Sequence, residues 1–104
     1  MDTFTALSDP TRRHIIESLA HGEASFGELA DKFEMSRPAV SQHLKVLKDA
    51  GIVSSRADAQ KRIYSLSDSG LDELEQWLEK VRTFWNQRLD RLEALLAEEE
   101  TNNE

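Results

Sequence analysis

Residues 36–51, Ser36-Arg-Pro-Ala-Val-Ser-Gln-His-Leu-Lys-Val-Leu-Lys-Asp-Ala-Gly51 (SRPAVSQHLKVLKDAG), contain the signals of one complete helix. Ser36 is a natural N-cap, Pro38 fits the first turn, and Gly51 is the residue expected just past the C-terminus. Placed on a helical wheel, Arg37, Pro38, Ser41, Gln42, Lys45, Lys48 and Asp49 share one arc of about 140°. Ala39, Val40, His43, Leu44, Val46, Leu47 and Ala50 take the remainder. One side therefore builds a core, and the other is displayed.

The elements around it give that helix a context. Asp9-Pro10 opens an earlier helix that runs to about Ala20, with Ile15, Ile16 and Leu19 inward and Gly22 ending it. Ser25-Phe-Gly-Glu28 matches the capping box and starts a short helix through about Phe33. The turn before Ser36 is so brief that the two helices form a helix-turn-helix. Beyond Gly51, IVSSRA and KRIYSLS read as two strands joined through Asp58-Ala-Gln60, a hairpin with basic residues on both arms. The expected fold is mainly α with a small β-hairpin: a winged helix-turn-helix, followed by a long C-terminal dimerisation helix. Domain boundaries fall at 1–66 and 67–104.

That last helix is expected from about Asp68 to Glu99, capped near Ser67 or Ser69, and would span roughly 45 Å. Leu71, Leu74, Leu78, Val81 and Trp85 follow heptad spacing, which meets Arg88 and slips to Leu89, Leu92, Leu95 and Leu96. Trp77 and Phe84 widen the stripe. A domain this small rarely covers so long an apolar face, so pairing with a second copy is expected, through Leu71, Leu74, Leu78, Val81, Trp85, Leu89 and Leu92. EEETNNE is expected to fray.

The net charge of -7 on 104 residues is uneven. Residues 1–66 carry nine Lys/Arg and nine Asp/Glu, whereas residues 67–104 carry four against eleven. Within 36–64 six basic residues (Arg37, Lys45, Lys48, Arg56, Lys61, Arg62) face only Asp49 and Asp58. Nearby charges dominate at a screening length of about 8 Å, so this patch can serve a polyanion inside an acidic protein.

The displayed side of the helix has the chemistry that DNA requires. Gln pairs with adenine in bidentate fashion, Ser bonds a base edge or phosphate, and Arg and Lys serve guanine or phosphate. Arg37, Pro38, Ser41, Gln42 and Lys45, with Ser36 at the cap, are expected nearest the bases and Lys48 nearer the backbone. Arg56, Lys61 and Arg62 on the hairpin are candidate phosphate or minor-groove contacts. Arg12 and Arg13 could reach phosphate or pair with Asp9 or Glu17. His43, on the apolar side, reads as structural rather than as a base contact.

With no cysteine there is no disulfide framework, thiolate nucleophile or sulfur ligand, and a reducing, cytoplasmic setting is expected. No apolar run reaches the length of a signal peptide or a membrane span. Neither a Ser/His/acid constellation nor a Gly-rich phosphate loop is present, which argues against an enzyme.

ALSDPTRRHIIESL, GELADKFEMSRPAVSQHLKVLKDAGIV and RIYSLS closely resemble the ArsR-type winged helix-turn-helix repressors over about residues 4–68. The resemblance implies a homodimeric repressor on a near-palindromic operator of double-stranded DNA, released by a signal. Metal-sensing members use a Cys-x-Cys before the recognition helix, or an Asp-x-His with a His-x-x-Glu pair in the C-terminal helix. The matching positions here hold Ser25 and Gly27, and Asp68, Gly70, Val81 and Phe84. One carboxylate in four does not make a transition-metal site, so the chain resembles the metal-independent branch, with no cofactor. A metal-responsive repressor and a protein-interaction module built on the long helix are the alternatives.

Overall fold

The computed structural model describes residues 2–102, with side chains as far as Glu100. In chain order the elements are α1 (Thr3–Ala6), α2 (Pro10–Ala20), β1 (Ala24–Ser25), α3 (Phe26–Lys32), α4 (Arg37–Asp49), β2 (Val53–Asp58), β3 (Lys61–Leu66) and α5 (Asp72–Asn102). Residues 1–73 form one compact unit and residues 74–104 a second. The first unit extends beyond the compositional boundary at 66 because Leu71 packs on its core and Gly70 is buried in it.

Side chains close the helix ends as the sequence dictates. Asp9 accepts from the backbone N–H of Thr11 and Arg12, with Pro10 next in line. Ser36 accepts from Ala39 N–H at 3.3 Å. At the far end of α4, Gly51 takes φ +80, and the N–H groups of Gly51 and Ile52 reach back to Lys48 O and Leu47 O, each at 3.0 Å. Those two bonds are a Schellman closure, which only a residue at ease with positive φ completes without strain. The capping box differs in one respect from expectation. Ser25 accepts from Glu28 N–H, but Glu28 Oε1 accepts from the Ser25 hydroxyl at 3.1 Å instead of from a backbone N–H.

The core joins three helices to the sheet. Ile15 and Leu19 of α2, Leu29 of α3, and Val40, Leu44 and Leu47 of α4 are buried with Ala6, Ile52 and Val53. Ile16, expected inward, is half-buried.

The wing has more strands than its hairpin. The sheet order is β1-β3-β2, all antiparallel, with Ala24 opposite Tyr64 and Ser25 opposite Ile63. Between β2 and β3 the tip turns through Ala59, at φ 56, and Gln60. The left-handed residue is thus an alanine, not the Asp58 or Gln60 to which turn chemistry pointed.

The long helix also begins later than expected. Ser67 N–H donates to Ile52 O at 2.9 Å, and Ser67 O accepts from Gly70 N–H, so this stretch is a turn tied to the α4–β2 link. A Cβ at Gly70 would lie 2.5 Å from Gly51 O and 2.6 Å from Ile52 Cα, a close approach open to glycine alone. Helix α5 starts at Asp72 and continues through Asn102, so Glu98–Glu100 are helical rather than frayed; residues 103 and 104 lie outside the described residues.

Candidate nucleic-acid interface

Helix α4 turns Val40, Leu44 and Leu47 into the core and leaves Ser36, Arg37, Pro38, Ser41, Gln42, Lys45 and Lys48 exposed. Among the described residues, no side-chain hydrogen bond engages Ser41, Gln42 or Lys45. Their donors and acceptors face solvent. Arg37 lies 6.0 Å above the Phe26 ring and 3.7 Å from Asp31, loose surface contacts that cost little to exchange.

The strand register divides the three basic wing residues between two faces. Opposite pairs share a face, so Ser55/Tyr64 and Ala57/Arg62 lie on one side, and Arg56/Ile63 and Asp58/Lys61 on the other. The first side meets α4. Lys48 Nζ donates to Ser55 Oγ at 2.9 Å, and Arg62 donates to the same oxygen at 3.3 Å. A groove here is lined by Ser41, Leu44, Lys45, Lys48, Arg62 and Tyr64. Two cations from two elements thus share one hydroxyl, a third, Lys45, lines the same groove, and among the described residues no carboxylate pairs with them.

On the second side Arg56 is engaged. Its two terminal nitrogens donate to the two carboxylate oxygens of Glu23 at 2.7 and 2.8 Å, a fork that reaches from β2 past β3 to the residue before β1. The hydrogen bond with Arg56 holds the Glu23 carboxyl below its ordinary range and raises the Arg56 guanidinium.

Among the described residues neither Arg12 nor Arg13 makes a salt bridge with Asp9 or Glu17. Arg12 donates through Nε to Ala6 O at 2.7 Å and through Nη2 to Thr5 O, and its Nη1 meets His43 Nδ1 at 3.3 Å. Arg13 donates to Leu7 O at 2.7 Å. Both anchor the C-terminal carbonyls of α1, and half-buried His43 has the structural contact its wheel position suggested.

In the second unit, Leu78, Trp85, Leu89 and Leu92 are each about half exposed along one stripe of α5, while Leu74 and Val81 are half-buried. Leu71, expected in the same stripe, packs on the core of the first unit. Arg88 falls where the heptad wants an apolar residue, and its guanidinium lies 5.6 Å over the Phe84 ring, which itself meets Trp85 edge to face.

Sequence reasoning missed Ser55, Tyr64 and Glu23. Period-2 alternation from Val53 would have placed Ser55 on the α4 side, but no local signal marks Glu23 as the partner of a residue 33 positions away.

Residues 9–55 match the sequence profile of the family described as "Bacterial regulatory protein, arsR family". The chain is 47% identical over 94 residues to the HTH-type transcriptional regulator Rv2034 of Mycobacterium tuberculosis, covering 90% of this chain and 85% of that one. The chain belongs to the arsR family. Transcriptional repressor SdpR of Bacillus subtilis is 38% identical to this arsR-family chain, over 74% of its length and 86% of SdpR. The crystal structure of a possible transcriptional regulator for arsenical resistance superposes with a TM-score of 0.73 at 40% identity, covering 90% of this chain and 95% of that one. The arsR-family chain is accordingly a DNA-binding transcription regulator of a repressor family and not an enzyme, and its winged-helix fold is the family's.

Metal sensing is part of this family's repertoire, and the residues here do not fit a metal. The Ser25 hydroxyl is spent on Glu28, Gly27 has no side chain, and Gly70 is pressed against Ile52. Among the described residues no three His, Asp or Glu side chains come together as a ligand set.

Proposed function

We propose that the protein is a homodimeric repressor, acting in the cytoplasm, that covers a promoter by binding an inverted-repeat operator. Ser36, Arg37, Pro38, Ser41, Gln42 and Lys45 of α4 enter the major groove, and Lys48 and Arg62 take backbone phosphate beside it. The observation that carries this reading is the groove lined by Ser41, Lys45, Lys48 and Arg62, in which Lys48 and Arg62 meet at Ser55 and no carboxylate among the described residues pairs with the three cations. Arg56 braces the wing through Glu23, and Lys61, on that same outer face, meets the flanking backbone. The α5 stripe from Leu74 to Leu92 pairs two chains and spaces the two reading helices about 34–36 Å apart, one turn of DNA. No metal is required, and no inducer follows from the residues.

Substituting the reading face tests the assignment. Gln42→Ala lowers affinity for the preferred sequence by about 1–3 kcal/mol and relaxes preference at one position of each half-site. Equal affinities for specific and unrelated duplexes in the unaltered protein would contradict the proposal.

A further inference from the structure

We propose that His43 is a positioning residue: held through Nδ1 by Arg12, it seats the reading helix α4 against the α1–α2 corner, and taking up a proton unseats it. The inference rests on α4 being the helix that reads DNA.

The geometry defines the protonation state. Arginine is always a donor, so at 3.3 Å from Arg12 Nη1 the His43 Nδ1 must offer a lone pair, which makes the ring neutral with its hydrogen on Nε2. Arg12 has little freedom to accommodate anything else, since Nε and Nη2 are committed to Ala6 O and Thr5 O. His43 is on α4 but lies across the helix from Ser41 and Lys45, so it acts on DNA only through the pose of the helix. Its turn neighbours on α4, Ala39, Val40, Val46 and Leu47, carry no charge. Among the described residues the charged groups shown to interact with it are Arg12, by the 3.3 Å contact, and Asp9, the N-cap of α2, electrostatically.

Protonation removes the acceptor and sets two cations side by side, while Asp9 attracts the new charge. The ring must leave Arg12 and turn toward Asp9, and α4 loses its tie to α1. The sign of the effect is diagnostic: positive charge gained elsewhere on the surface would only strengthen binding to a polyanion, whereas unseating α4 weakens it.

The test compares operator affinity near pH 7.5 and pH 5.5 for the unaltered protein and for His43→Asn, whose Oδ1 replaces the Nδ1 acceptor and cannot take a proton. A several-fold weakening at the lower pH in the unaltered protein, absent in H43N, is expected, with both proteins folded by circular dichroism at each pH. Binding that strengthens on acidification, or an H43N curve that follows the unaltered one, overturns the proposal. Imidazole 15N shifts of the free protein read the tautomer without DNA or a variant: hydrogen on Nδ1 near pH 7.5 overturns the strut even if operator binding holds. Finding the expected tautomer but no preferred DNA sequence would instead sink the operator reading, and the positioning role with it.

Discussion

Two wing arginines of equal charge should behave differently on DNA. Arg62 lies on the α4 side, 3.3 Å from the Ser55 hydroxyl that Lys48 also contacts, whereas Arg56 is on the opposite side with both terminal nitrogens on Glu23. Each phosphate neutralised contributes about 0.9 to the slope of log affinity against log salt. Arg62→Gln removes one such contact per protomer, so in a dimer the slope should fall by about 1.8. Arg56→Gln takes away a charge that Glu23 already balances and should leave the slope unchanged, with any loss of affinity equal at all salt concentrations. Fluorescence anisotropy with a labelled operator between low and physiological salt measures both. A slope that falls as far for R56Q as for R62Q would show that Arg56 leaves Glu23 for phosphate, and the division of the wing into two faces would be wrong.

Gly70→Ala forces a methyl to within 2.6 Å of Ile52 Cα and should destabilise the protein by about 1–3 kcal/mol or more, read as a fall in melting temperature. Leu78→Lys with Leu92→Lys should yield monomers by sedimentation equilibrium and abolish tight operator binding, while the first unit keeps its fold. Acid stability follows from Asp9 and Glu23. Burial raises the Asp9 carboxyl, but bonds from Arg12 and Thr11 N–H and the Arg12 charge outweigh it, so it lies below its ordinary 3.8. Glu23, bonded by Arg56, lies below 4.5. Because both folded values are depressed, their stabilisation is present above about pH 4.5 and is lost as pH falls through the folded values. Melting temperature should drop below about pH 4, less steeply for Asp9→Asn; an unchanged profile would count against the Asp9 cap.

The reading helix was legible end to end because its cap, its apolar stripe and its Gly51 stop are all local signals that the packed fold leaves in place. What was illegible depended on distant neighbours. Helix α5 starts at Asp72 rather than at Ser67 or Ser69 because Ser67 N–H is drawn to Ile52 O and Gly70 must pass close to the backbone there. Arg56 and Arg62 look alike in sequence, and only strand register separates them. Arg12 and Arg13 have carboxylates within local reach, yet α1, an element outside the sequence reading, offers them carbonyls instead. At the tip, Ala59 adopts a left-handed φ that its residue type does not advertise.

Selection of bound duplexes from a random library by the purified protein, with no metal added, bears most directly on the central claim. Two paired reading helices predict an inverted repeat whose half-site centres lie about 10–10.5 base pairs apart. Enrichment of a single half-site, of a direct repeat, or of no sequence would contradict it.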